Sequence, residues 1–199
     1  MTVQGGDAAI ADVVREHPGA RAALEPTSDS DVARAVGIAG RSTAGATELP
    51  FDVMDLDDGT LVVNAVVLGI PPDRLRHWHR RGPVVVRVDG RPCFDGDATT
   101  VVIATGQYLR GSDLVPRGHP GDDRVEVQVY ALDPGQRRRM RRRLATGDHV
   151  PHPAIVESAG RSVQVQAPSA WALEVDGRPR GARRGLAATV RGGAWSLVL

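Results

Sequence analysis

Apolar residues recur along this chain with two different periods. Near the N-terminus Ile10, Val13 and Val14 fall at i, i+3, i+4, the spacing of one helical face. Asp7 is placed to cap that helix and His17-Pro18-Gly19 to end it. A second, shorter helix is expected with Asp29 or Ser30 as cap, Val32, Ala33 and Val36 as its apolar face, and Gly37 as the stop. Gly40 to Pro50, rich in Gly, Ser, Thr and Ala, reads as a linker.

From Phe51 the period changes to two. Val125, Val127 and Val129 alternate with Glu126, Gln128 and Tyr130, and Val163 and Val165 alternate with Gln164 and Gln166. Strands are expected at 60–68, 84–89, 99–105, 124–132, 162–166, 172–176, 185–191 and 194–198. Turn dipeptides punctuate them: Asp58-Gly59, Asp89-Gly90, Asp95-Gly96, Asp176-Gly177 and Gly192-Gly193. Half-buried alternating strands joined by tight turns predict an antiparallel sandwich or partial barrel. One helix interrupts it, with Asp133 as cap, Pro134 in the first turn, Met140 and Leu144 on the inner face and Gly147 as the stop. The fold class is therefore α+β, mostly β, with a short helical segment over 1–45 and a β-rich part over 46–199.

Charge removes several function classes. The 199 residues carry 25 basic and 24 acidic side chains, so the chain is not a broadly basic nucleic-acid binder. Every basic residue is arginine, which excludes lysine-based Schiff chemistry and the phosphate loop that ends in Gly-Lys-Ser/Thr. Cys93 is the single cysteine, so neither an intrachain disulfide nor a cysteine-rich zinc site is open to it. His77-Trp78-His79 and His149 with His152 do not have a standard zinc spacing. No secretory pattern is visible and the longest apolar run, Leu61 to Ile70, is too short to span a bilayer. A cytoplasmic protein is expected. Six arginines between Arg137 and Arg143 are the exception to the even balance. They form either a solvated face, offset by Asp122, Asp123, Glu126, Asp133 and Asp148, or a contact for anionic lipid at a membrane surface.

The order of short motifs resembles the diacylglycerol kinase family of lipid kinases, which includes sphingosine kinases. Gly5-Gly6-Asp7 resembles the GGD of that family's GGDGT loop, and Ile10 to Val14 its LNEVV stretch. Thr27 to Arg34 sits where the family has GTxNDFAR, and Asn64 to Gly69 resembles a strand ending in glycine. Gly106-Gln107-Tyr108 through Val115-Pro116, Gly121-Asp122-Asp123, Gly147-Asp148-His149 and Val175-Asp176-Gly177 complete the series, the last resembling the DGE turn.

The resemblance implies ATP as phosphoryl donor, Mg²⁺, and a phosphate cradle at Gly5, Gly6, Asp7, Ser28 and Asp31. It implies a magnesium-linked acidic network at Asp122 and Asp123. It also implies that Asp176 accepts the proton of a lipid hydroxyl, since phosphoryl transfer needs such a carboxylate to orient the nucleophile. The plainer reading of Asp176 is an ordinary Asp-Gly hairpin turn.

Departures from the pattern are expected to matter. Ala8 and Ala9 replace a glycine and a threonine, Arg178 stands where the family has an acid, and only Met1 to Gln4 precede the loop. The expectation is a truncated, degenerate family member with a cleft for a lipophilic or phosphorylated ligand and no autonomous ATP kinase activity. The alternative is an active minimal or split lipid kinase completed by a second polypeptide. The apolar faces of the two N-terminal helices are expected to pack on the β half or on a second copy in a homodimer.

Overall fold

The computed structural model describes residues 2–24, 29–38 and 47–198. In chain order the elements are β1 (Thr2–Val3), α1 (Asp7–Glu16), β2 (Arg21–Leu24), α2 (Asp31–Ala35), β3 (Glu48–Leu56), β4 (Leu61–Val62), β5 (Ala65–Gly69), β6 (Gly82–Val88), β7 (Arg91–Ala98), β8 (Thr100–Ala104), β9 (Tyr108–Leu109), β10 (Ser112–Asp113), β11 (Val125–Tyr130), α3 (Arg137–Arg143), β12 (Ile155–Gly160), β13 (Ser162–Val175) and β14 (Arg178–Val198). Short 3₁₀ turns cover Pro72–Arg74 and Leu144–Thr146.

The architecture hangs on the β13–β14 hairpin. β13 pairs with β6 through Val163–Gln166 and with β5 through Leu173–Val175, so its two ends serve different parts of the sheet. β14 pairs with β13, then with β3, and finally in parallel with β2. The expected segments 162–166 and 172–176 are thus one strand, as are 185–191 and 194–198. Gly192-Gly193 is a bulge between Arg191 and Trp195, not a turn, and Gly193 takes a positive φ of 59° there. Asp95-Gly96 is not a turn either: it lies inside β7, paired with Val85 and Val84 of β6.

Three apolar clusters lie under this sheet. The sandwich core is almost all aliphatic and includes Met54, Val66, Val101, Ile103, Val127, Val163 and Leu186. β8 is buried along its whole length because its other face, Val102 and Ala104, belongs to a second cluster closed by Met140 and Leu144 under α3. The third cluster joins Ile10, Val14 and Val32 to Phe51, Trp195 and Leu197, so the N-terminal helices do pack on the β half. α1 is the crossover between parallel β1 and β2, which extend the sheet beyond β14.

Several local expectations are corrected. Glu48 to Pro50 belong to β3 and not to a linker, because Leu49 and Phe51 find partners in Leu197 and Trp195. The rest of the expected linker, 40–46, and the boundary at 45/46 lie outside the described residues. Asp7 is the first helical residue of α1 and makes no cap; Gly6 holds the cap position. Ser30, not Asp29, caps α2, accepting the Ala33 N–H at 3.1 Å. The strand expected over 60–68 breaks at Val63–Asn64, a break that serves the site described next.

Candidate functional site

Asp176 and Gly177 form the two-residue turn between β13 and β14, with φ of 46° and 77°. Positive φ at both positions is the type I′ geometry that Asp-Gly favours. The plainer reading is therefore correct as to backbone, but the side chain does more than turn the chain. Its Oδ1 accepts the N–H groups of Asn64 (2.9 Å) and Ala65 (3.0 Å), and Oδ2 accepts that of Val63 (3.0 Å). Three successive amides converge on one carboxylate, an anion nest occupied from within the protein. The break between β4 and β5 exists because these amides face Asp176 and not a neighbouring strand.

Asn64 links this nest to the glycine loop. Its Nδ2 donates to Asp7 Oδ2 at 2.6 Å and to the Tyr108 carbonyl at 3.0 Å. Gly106 lies so close that an added Cβ would stand 2.4 Å from Asn64 Oδ1, so only glycine fits. Asp7 Oδ1 takes the Ser30 hydroxyl (2.7 Å) and the Val32 N–H (3.2 Å), which ties the start of α1 to the start of α2. Asp31 accepts the Gly111 N–H at 2.8 Å.

Gly5 adopts φ of 109°, and at Gly6 a Cβ would meet the Asp29 carbonyl at 2.9 Å, so both glycines are required by the backbone. Gly6, Asp7, Asp31 and Asp176 thus meet around one polar cleft of about 240 Å³, together with Arg110 and Arg178. Ser28 lies outside the described residues.

Burial shapes the acid–base character of the cleft. It pushes Asp7 up to about 7, against the Ser30 hydrogen bond and with help from the charges of Asp176 and Asp31. It pushes Asp176 up to about 6, against its three N–H donors. Asp31 is raised by burial as well.

Arg110, at φ 50°, forms a two-point contact with Asp73 (2.8 and 3.3 Å) and an ion pair with buried Glu174. Glu174 also lines a second, more apolar trough of about 460 Å³ beside Ile70, Pro71, Trp78, Leu173 and Pro179. Arg178 turns outward to Asp12 on α1 at 3.0 Å.

Asp122 and Asp123 are not brought to the cleft. Asp122 Oδ1 accepts the Arg124 N–H, Asp123 pairs with Arg161, and the Asp123 N–H donates to Asp52 at 2.6 Å. Among the described residues no group of three or more His, Cys, Asp and Glu is placed to hold a metal ion. The cleft residues fit a phosphoryl or hydroxyl group, through two arginines and the start of α1. Asp7 and Asp176 accept protein donors on both of their oxygens, so neither carboxylate stands free in the cleft as a ready Mg²⁺ ligand. Sequence reasoning missed Asn64, Glu174 and Asp73 as site residues, and no local pattern marks them.

This arrangement is that of a kinase-like fold in which a glycine loop meets the end of a β-sandwich. Residues 72–198 match the model of the YegS C-terminal NAD kinase beta sandwich-like domain. The chain belongs to that family, the diacylglycerol-kinase-like lipid kinases.

Solved structures agree on the fold. A protein described as "a putative diacylglycerol kinase" from Bacillus anthracis str. Sterne superposes with a TM-score of 0.78 at 15% identity, over 99% of this chain and 76% of that one. A second structure of that description and organism gives 0.64 at 14% identity, over 76% of this chain and 57% of the other. An NAD kinase from Archaeoglobus fulgidus, solved in complex with ATP, gives 0.58 at 12% identity, over 100% of this chain and 76% of that one. No curated protein matches the chain by sequence.

Proposed function

We propose that the protein binds a lipophilic ligand through a polar, hydroxyl- or phosphate-bearing head, and that this chain alone does not transfer phosphate from ATP. One observation carries the reading. The Arg110–Glu174 pair joins the polar cleft to the apolar trough, so a head in one and a tail in the other are neighbours. Arg110 and Arg178 both line the cleft, and an anionic head reaches them by exchanging with their present carboxylate partners Asp73, Glu174 and Asp12. In this reading Asp176 is a structural acceptor. A carboxylate that already holds three backbone amides is poorly free to take a substrate proton.

A second reading, an active minimal or split lipid kinase, is favoured by Asp7 near 7 and Asp176 near 6. Neighbouring carboxylates titrating close to neutrality are what general-base catalysis requires. The ATP held in the Archaeoglobus fulgidus NAD kinase structure accords with it.

Labelled ATP with diacylglycerol in mixed micelles separates the two. No labelled lipid from the native chain is expected. Turnover by the native chain that disappears in folded Asp176→Asn would overturn the binding reading and make Asp176 the base. Titration with a short-chain phosphatidic acid tests binding directly: saturable binding is expected, weakened by Ile70→Glu in the trough. Failure to bind any such lipid removes the reading.

A further inference from the structure

The loop before β6 exposes Trp78, the large hydrophobic side chain that stays in solvent among the described residues, at 64% exposure. This loop is held firmly. Arg137 on α3 is 2% exposed, and its guanidinium donates to the carbonyl oxygens of Arg76 (2.9 Å), His77 (3.4 Å), His79 and Leu132 (3.1 Å). The Arg76 N–H donates to His79 Nδ1 at 3.0 Å, and the His77 and His79 rings meet the indole edge-on at 4.7 and 5.9 Å between centroids. A buried cation with no carboxylate partner thus fixes a loop whose tip keeps an indole in water.

The surroundings of Trp78 are strongly positive. Arg76, Arg80, Arg138, Arg141 and Arg142 form no ion pair among the described residues. Arg141 feels the like charges of Arg76, Arg138 and Arg142. Among the described residues, none of the acids expected to offset this helix forms an ion pair with Arg138, Arg141 or Arg142. Asp133 pairs with Arg81, Asp148 accepts the Thr146 hydroxyl, and Asp123 pairs with Arg161. The apolar trough opens beside the same indole.

We propose that this face docks on an anionic lipid bilayer, with Trp78 at headgroup depth and the α3 and loop arginines on lipid phosphates. Charge complementarity supplies attraction, and an indole with one apolar and one polar side suits the water–lipid boundary. A nucleic acid would use the arginines but gives no reason to hold a tryptophan beside an apolar trough. The inference goes beyond the ligand reading above, because docking does not depend on what the cleft binds.

The test is co-sedimentation of the full chain with phosphatidylcholine vesicles, with and without phosphatidylglycerol, at low and high salt. Binding only to the anionic vesicles is expected, weakened by salt. Arg138→Gln with Arg142→Gln should weaken it about 25-fold, at about fivefold per arginine near the surface. Trp78→Ala should weaken it further, and a blue shift of tryptophan emission on binding should be absent in Trp78→Phe. Arg191→Gln, which removes an ion pair with Asp55 on β3, should bind as the native chain does. Equal binding to both vesicle types, no binding to either, or binding untouched by the arginine pair would overturn the proposal. So would arginine-dependent retention on single-stranded RNA without vesicle binding.

Discussion

Replacing Asp176 tests the nest at its centre. In Asp176→Ala the amides of Val63, Asn64 and Ala65 lose their acceptor in a buried setting. Each unsatisfied donor costs about 1–3 kcal/mol, and partial access of water places the sum near 3–6 kcal/mol. Alanine at φ 46° adds about 1 kcal/mol, since a left-handed backbone is disfavoured for residues with a Cβ. The expected total, roughly 4–7 kcal/mol, compares with a whole-protein stability of about 5–15 kcal/mol. Asp176→Asn behaves differently. Asparagine tolerates the left-handed region and keeps Oδ1 for Asn64 and Ala65, so only the Val63 N–H faces a donor in place of an acceptor. A loss of about 1–3 kcal/mol is expected there. Urea unfolding followed by circular dichroism at neutral pH measures both. An alanine variant within about 1 kcal/mol of native, or an asparagine variant as damaged as alanine, would refute the three-donor account.

Three further perturbations follow the same logic. Arg137→Met should cost about 2–4 kcal/mol, because four carbonyls lose a charged donor, and should speed proteolytic cleavage after Arg80 as the Trp78 loop loosens. Gly106→Ala should cost about 1–3 kcal/mol by overpacking against Asn64, read as a lower urea midpoint. His149 is buried beside Tyr130 at 3.3 Å, and burial pulls it down to about 4 from 6.5. The unfolded chain then gains its proton first, so the stability His149 provides is present above pH 6.5 and lost as pH falls through about 4. The stability difference between native and His149→Gln should change by about 3 kcal/mol between neutral pH and pH 4, by proton linkage. A pH-independent difference would show that the imidazole keeps its ordinary affinity.

Local pattern alone determined much of this protein. Alternation at Val125–Tyr130 and Val163–Gln166 made the β half visible, because a strand with one buried face must repeat every second residue. Asp89-Gly90 and Asp176-Gly177 were readable as turns, since Asp-Gly suits positive φ at both positions. Ser30 was readable as a cap, and the ordered motifs as a lipid-kinase likeness. Tertiary structure decided the rest. β7 is polar and half exposed, so it shows no period until β6 pairs with it, and Glu48 to Pro50 become strand only against β14. The six arginines of α3 read as a solvated or lipid-facing surface opposite Met140 and Leu144, yet Arg137 is buried because carbonyls from a loop some sixty residues away in sequence meet it. Asn64 looked like a polar interruption of an apolar run. It stands where the amides of β4–β5 meet Asp176 and its side chain meets Asp7, and nothing in its own neighbourhood announces partners 57 and more than a hundred residues distant. Short-range patterns report backbone conformation and which face is buried. Which donors and acceptors meet depends on strand pairings between remote segments, and those are settled only when the whole sheet closes on its cores.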